Sequence, residues 1–459
     1  MDPAEPRKEP GTDLTEGPVS RLLLRFTLPL FAGNLLQVAY GAVNRFWTGQ
    51  FLGKEALGAV SIGILVAYVL VAFAWGMTMG ATILVAQAYG AKDWSTLRKA
   101  VANSFLIVGL MALGTTFLMI AGAAPVLRWL GTPPELFGMA RDYLLVGSLG
   151  AIFVFGFNLV SFIFRAIGDS TTPLKYLALS VGINTILDPF LMLGWGPFPR
   201  MGISGAAAGM VVAEGTAFLL SFRALQRKGG PAALVIRGTL PDWPMISAIL
   251  RLGLPGSFQQ TFISLGVSVI QRFINAFGSD AIAAYGAAAN VDNLFFLPAI
   301  SLNLAVSSMA GQNVGAGKLD RARMTAAYAL LYSGTVSLAL GILCLAVPSW
   351  LLSPFLQAAD SGALAIGERL LRILGLPYLF ITSMVVLNGF FNGVGDTLAS
   401  MFLSIVSLWI LRVPLVWRLS GKWGLDGVWA GIAAGYVLSL FLALGYYALG
   451  TWKRNLRRE

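Results

Sequence analysis

Over 459 residues the chain is 57% apolar and only 12% charged, against about 25% charged for an ordinary soluble domain, so most of its surface must meet lipid rather than water. A net charge of +11 would suit a nucleic-acid partner, but the basic residues are distributed as membrane topology requires, and no nucleic acid is expected. With no histidine and the single cysteine Cys344, the chain has no intrachain disulfide, no ligand set for zinc, haem or an iron–sulfur cluster, and lacks the commonest general base, so neither cofactor nor enzyme chemistry is expected.

In chain order, residues 1–20 read as a disordered cytoplasmic tail, polar at its start and without the apolar core of a signal peptide. Long apolar runs follow near 22–46, 57–88, 98–120, 139–163, 173–195 and 203–225, and again near 248–276, 282–310, 323–347, 366–390, 397–418 and 427–448. Each approaches or exceeds the roughly 20 residues needed to cross a bilayer as a helix, and each is continuously apolar rather than alternating as a barrel strand would be. The expected fold is an all-α membrane protein of about twelve spans in two parallel six-helix lobes around a central cleft, 21–225 and 246–450, with a cytoplasmic linker at 226–245 and a tail at 451–459. Of the 32 lysines and arginines, 21 fall on one side, among them Arg21, Arg25, Lys92, Arg98, Lys99, Arg223, Arg227, Lys318 and Arg321. The positive-inside rule places that side, with both termini, in the cytoplasm; the expected setting is a bacterial inner membrane, with lipid around a monomer.

The second half repeats the first. LRFTLP at 24–29 returns as LRLGLP at 250–255, Gly53-Lys54-Glu55-Ala56-Leu57 as Gly278-Ser279-Asp280-Ala281-Ile282, and Gln87-Ala88-Tyr89-Gly90-Ala91 as Gln312-Asn313-Val314-Gly315-Ala316. FRAIGDS at 164–170 returns as FNGVGDT at 391–397, and Gly202-Ile203-Ser204-Gly205 as Gly424-Leu425-Asp426-Gly427. An even number of spans per repeat makes the repeats parallel, an arrangement suited to alternating access. Pro29 and Pro255 stand at equivalent places in the first helix of each repeat, where a proline removes a backbone bond and gives either a static kink or a hinge.

An ionisable residue within a span is costly and is retained for a reason. Asp188, in SVGINTILDPFLML with Asn184 one turn earlier, is the clearest case. It can carry a proton through a transport cycle, or with amide and hydroxyl oxygens hold sodium; a capping or packing role before Pro189 is the alternative. Glu214 is a second acid that could share the proton or face a helix neighbour. Asp292, with Arg272 as the expected partner, divides between a structural pair and a substrate role, and Arg45 and Arg412 sit at span ends. Phe153, Phe155, Phe157, Phe295 and Phe296 would suit flat lipophilic molecules, or pack. Gly393-Val394-Gly395-Asp396 has the form of an intramembrane aspartyl protease motif, but the Tyr-Asp dipeptide of its partner helix is missing, and Ala166-Ile167-Gly168-Asp169 marks the motif as a duplicated turn.

VNRFWTGQFLGKEALGAVS at 43–61, VAQAYGA at 85–91, FRAIGDSTTPL at 164–174, NTILDPFLMLGWGPFPRMGISGAAAG at 184–209 and FLPAISLNLAVSSMAGQNVGAGKLDRA at 296–322 resemble the multidrug and toxic compound extrusion (MATE) family, in particular its DinF-like branch. The resemblance covers essentially all twelve spans. It implies a secondary antiporter that exports amphipathic organic cations in exchange for H+ or Na+, with a coupling site in the first lobe. By motif position Asn184 and Asp188 match that site, and Ser204 matches a hydroxyl position of the sixth helix. The first-helix position usually held by an acid is here Asn44, which cannot titrate but can offer an oxygen to sodium or a hydrogen bond to Asp188. A flippase for a lipid-linked intermediate, or an exporter of one metabolite, is the alternative.

Overall fold

The computed structural model describes residues 12–236, 238–356 and 361–453, and of residues 68–72 the backbone only. The described residues are helical with no strand, as a membrane interior demands when each backbone N–H must find its acceptor within its own segment. Helix α1 (Val19–Gly90) is broken at Gly53 into two arms. It is followed by α2 (Trp94–Trp129), α3 (Pro134–Leu149), α4 (Ala151–Ala166), α5 (Thr171–Leu193) and α6 (Ile203–Lys228). The second half runs α7 (Trp243–Asn275), α8 (Ser279–Gly315), α9 (Leu319–Ala346), the short α10 (Pro348–Leu352), α11 (Ser361–Leu374), α12 (Tyr378–Gly393), α13 (Thr397–Ile405), a π-helical stretch Val406–Arg412 and α14 (Val413–Leu449), itself broken at Gly424.

Seven of these are long and apolar enough to cross a membrane, and two bent pairs, α3 with α4 (51°) and α11 with α12 (58°), bring the number to nine. Dividing α1 at Gly53 and the last candidate at Gly424, and counting the 33-residue α7, gives the twelve expected spans.

The internal repeat is visible in the backbone itself. Gly53 (φ 84°, ψ −176°) and Gly278 (φ 94°, ψ −178°) share a conformation essentially closed to residues with a side chain. Gly202 (56°, −130°) and Gly424 (59°, −135°) form a second such pair. The two bent spans break at Gly150 and at Gly375, again in register. Duplicated turns also explain the two GD dipeptides. Asp169 caps α5 by accepting from the Thr171 and Thr172 amides at 3.0 and 2.9 Å. Asp396 caps α13 and accepts from the Tyr446 hydroxyl at 2.6 Å. These aspartates stop and start helices, as the rejection of a protease motif requires.

The chain divides into two compact units, one comprising residues up to Asp13 and Leu28–Ser257, the other Leu14–Thr27 and Phe258–Glu459. Helices α1 and α7 therefore each begin in one unit and end in the other, and each changes unit next to its proline, Pro29 or Pro255. In the first unit the linker is pinned to α2. Asn103 donates to the Thr239 carbonyl and accepts from the Asp242 amide, both at 3.0 Å, and Lys99 meets Asp242 at 2.8 Å. In the second unit Leu14 is buried, its amide donating to Gln312 Oε1 and its carbonyl accepting from Asn313 Nδ2, both at 3.2 Å.

The disorder expected over 1–20 therefore does not extend to residues 12–20, because one apolar side chain and its backbone groups find partners there. Residues 1–11 of that tail, Arg237 of the linker and residues 454–459 of the other tail lie outside the described residues.

Candidate ion-coupling site in the first unit

Asp188 lies within α5, which continues to Leu193, so it is not a helix cap. Its i, i+4 spacing from Asn184 sets both side chains on one helix face, and both are fully buried. Asn184 Nδ2 donates to Asp188 Oδ1 at 2.8 Å. Asn44, buried on the first arm of α1, donates from Nδ2 to Asp188 Oδ2 at 3.1 Å. Two amides from two helices thus hold the carboxylate, and it forms no ion pair among the described residues.

The close approach of α6 completes the enclosure. A Cβ placed on Gly209 would lie 2.3 Å from Asp188 Oδ1 and 3.3 Å from Asn184 Nδ2. One turn earlier, a Cβ on Gly205 would meet the Leu191 carbonyl at 2.6 Å. The GISGAAAG sequence thus lets the α6 backbone lie directly against the acid.

The site has unused acceptor capacity. Asn184 Oδ1 is buried with no hydrogen-bond partner, and so is the Thr48 hydroxyl, one turn beyond Asn44 on α1. Buried polar groups are normally satisfied, so oxygens left free beside a carboxylate mark a place for a proton or a hard cation. Among the described residues no group of three or more His, Cys, Asp or Glu side chains could hold a metal ion; the donors here are one carboxylate and neutral oxygens.

The other expected residues are placed differently. Ser204 sits half-buried in the first turn of α6 and makes no hydrogen bond to Asp188. Glu214, half-buried further along α6, forms no ion pair or hydrogen bond among the described residues. Tyr40 lies within electrostatic range of both Glu214 and Asp188. Tyr143 on α3 is likewise within range of Asp188 and also lines an apolar cavity of about 250 Å³ together with Ile64, Met119, Leu144, Phe155 and Met210. Tyr40, Tyr143 and Gly209 were not singled out from the sequence. Tyr40 could have been, standing one turn before Asn44 on the same helix; Tyr143 carries no such signal.

Of the aromatic candidates, Phe153 packs against Phe218 at 6.3 Å, Phe157 is core, and Phe155 alone of the three borders the cavity. Arg45 is exposed. In the second unit the expected Asp292–Arg272 pair does not form: Arg272 is exposed at the last turn of α7, and Asp292 accepts instead from the Tyr378 hydroxyl.

Comparison with known proteins agrees with the duplicated helical architecture. The family model MatE matches twice, at residues 29–190 and 255–417. The chain is 32% identical over 448 residues to the probable multidrug resistance protein YpnP of Bacillus subtilis, covering 96% of this chain and 97% of that one. It is 25% identical over 444 residues to the multidrug export protein MepA of Staphylococcus aureus, covering 95% of each. Among solved structures, a mutant of the Vibrio cholerae MATE transporter VcmN superposes with a TM-score of 0.89 at 18% identity over 96% of this chain and 99% of that one. A MOP superfamily transporter from Pyrococcus furiosus gives 0.87 at 22% over 97% of this chain and 100% of that one.

Proposed function

From the premise that the chain belongs to the MatE family, a multi-pass membrane transporter and not an enzyme, we propose that it is a secondary multidrug antiporter. It exports amphipathic organic cations in exchange for H+ or Na+, in a bacterial inner membrane with both termini in the cytoplasm. The curated relatives it matches are named for multidrug resistance or export, and the basic residues of the sequence favour the orientation.

The observation that carries the reading is Asp188: a carboxylate within a membrane span, fully buried, met only by two neutral amides, with a free amide oxygen beside it. Neutral partners suit an ion that comes and goes, whereas an arginine would fix the charge permanently. Asn184 can serve both states. Its amide donates to the ionised carboxylate, and an amide flip presents Oδ1 to a protonated one. The oxygens of Asp188, Asn184 and Asn44 are equally a hard-donor set for sodium. Glu214, Tyr40 and Tyr143 set the electrostatic surroundings.

Asp188 is enclosed in this conformation, so ion exchange requires a second one. The passage of α1 and α7 between units next to Pro29 and Pro255 supports the reading of these prolines as hinge positions for that transition. When one more positive charge enters than leaves, about 100 mV supplies about 2.3 kcal/mol, which sustains roughly a 50-fold gradient at about 1.4 kcal/mol per factor of ten; a monovalent cation leaving for one H+ or Na+ moves no net charge, and the ion's concentration difference alone drives it.

The test is export from proteoliposomes under an imposed pH or sodium gradient, comparing wild type with Asp188→Asn and Asn44→Asp. Loss of gradient-driven export in Asp188→Asn is expected, with Asn44→Asp still active and shifted in pH dependence. Normal coupled export by Asp188→Asn would overturn the assignment.

A further inference from the structure

The second unit holds another charged centre, which ion coupling at Asp188 leaves unused. Asp292 comes from α8, Tyr378 from α12, Arg412 from the end of the π-helical stretch, and Trp429 and Tyr436 from α14. Tyr378 is fully buried, donates its hydroxyl to Asp292 Oδ1 and lies 5.8 Å from the Tyr436 ring. The Arg412 guanidinium sits over the face of Tyr436, 4.4 Å from the ring centroid. Gly435 makes room for its stem: a Cβ there would fall 2.8 Å from Arg412 Cβ and Cγ. Tyr285, stacked on buried Trp429 at 6.0 Å and 9°, is within electrostatic range of both charges.

Neither charge is neutralised by its neighbours. Among the described residues Arg412 forms no ion pair and donates no hydrogen bond, and its Nε is buried without a partner. Asp292 forms no ion pair either, and Tyr378 is its one hydrogen-bond donor there. Had the two served only to cancel each other within the membrane, they would be expected in contact, since each unpaired buried charge is costly. Instead a π-helical stretch, a feature frequent at functional sites, delivers Arg412 to an aromatic face with its donors free. A guanidinium edge matches a carboxylate in plane and in spacing. Asp292, linked to Arg412 through the Tyr378 and Tyr436 rings (5.8 Å apart, tilted by 43°), completes a site with one place for each sign of charge and aromatic support for a flat ligand.

We infer that this centre binds amphipathic zwitterions, with the ligand's carboxylate on Arg412, its cationic group at Asp292, and its ring system against Tyr285 and Tyr436, while Tyr378, whose face is already stacked on Phe295 at 4.2 Å, orients Asp292. The inference rests on the export reading above and names its substrate class.

Fluorescence-polarisation titration of the purified full chain, at neutral pH, with a rhodamine free acid (a zwitterion) and the methyl ester of the same rhodamine (a cation) tests it. Wild type is expected to bind the acid about 10-fold more tightly than the ester, the scale of one charge-assisted pair. Arg412→Gln should erase that preference while leaving ester binding near wild type, which also reports that the variant is folded. Arg412→Lys keeps the charge without the fork and should fall between. Asp292→Asn should weaken both dyes about 10-fold. Equal affinity of wild type for acid and ester, or equal weakening of both by Arg412→Gln, overturns the inference. Gradient-driven export of the same dyes separates it from the antiport reading. Preferential acid binding without any coupled export sinks antiport alone; coupled export without acid preference sinks this site alone.

Discussion

The two halves share turns and differ in their polar centres, and the difference shows what each is built to do. In the first unit a single carboxylate, Asp188, is met by the neutral amides of Asn44 and Asn184 and by the bare backbone of Gly209. In the second, Asp292 and Arg412 are set among aromatic rings, with no ion pair between them. A lone acid among neutral oxygens suits an ion that enters and leaves. Opposite charges on an aromatic surface suit an organic molecule with charges of its own. Duplication preserved the backbone devices, because a broken helix needs a glycine at the same place in each copy, and left the cores free to diverge.

The comparison breaks most decisively at the two acids. Asp188→Asn is expected to reduce gradient-driven export to the passive leak, whereas Asp292→Asn should leave ion flux and substrate flux coupled while weakening dye binding. Parallel proteoliposome assays of ion and dye movement decide this, and the reverse pattern would exchange the roles of the two units.

Next in size is the enclosure of Asp188. Gly209→Ala drives a methyl to 2.3 Å from Oδ1, and overpacking of this kind costs about 1–3 kcal/mol. A lowered thermal midpoint together with impaired coupling is expected. Gly286 of the second half has open space at its Cβ position, so Gly286→Ala should leave the midpoint near wild type. Equal effects of the two substitutions would remove the argument from close approach.

A smaller effect tests the repeat directly. Lys92 holds a left-handed conformation (φ 57°), and its counterpart is Gly317 (φ 71°). Lys92→Gly should relieve strain and stabilise by roughly 0.5–1 kcal/mol, and Gly317→Lys should cost a similar amount. Differential scanning measurements that move both variants in one direction would contradict the shared turn.

The smallest concerns the linker, which is docked against α2 in the first unit. The Lys99 ammonium and the Met245 amide hold the Asp242 carboxyl below its ordinary value of 3.8. A depressed acid contributes stability above its unfolded value and loses it as pH falls through the lower folded one. Linker protection in hydrogen exchange should therefore be constant at neutral pH and fall below about pH 3.8, and it should already be weakened at neutral pH in Asp242→Asn.

Much of this was legible in the residues. Continuous apolar runs predicted the spans, matched pentapeptides predicted the duplicated turns later seen at Gly53 and Gly278, and the four-residue spacing placed Asn184 beside Asp188. What failed to appear were contacts made by crossing helices. Nothing local joins Tyr378 to Asp292, 86 residues apart, or shows that Arg272 points away while Arg412 lies over Tyr436. Tyr143 reaches Asp188 from a helix with no motif of its own.

The sequence by itself determined a membrane-spanning helical chain, its duplication and the acid it commits to a span, because lipid imposes hydropathy, turns impose glycine, and helical periodicity fixes neighbours one turn apart. Only the tertiary structure decided which amides hold Asp188, how near α6 comes to it, and that Asp292 and Arg412 stay unpaired. Those facts depend on the rotation and separation of helices distant in sequence, which are set by the packing of many side chains together rather than by any local pattern.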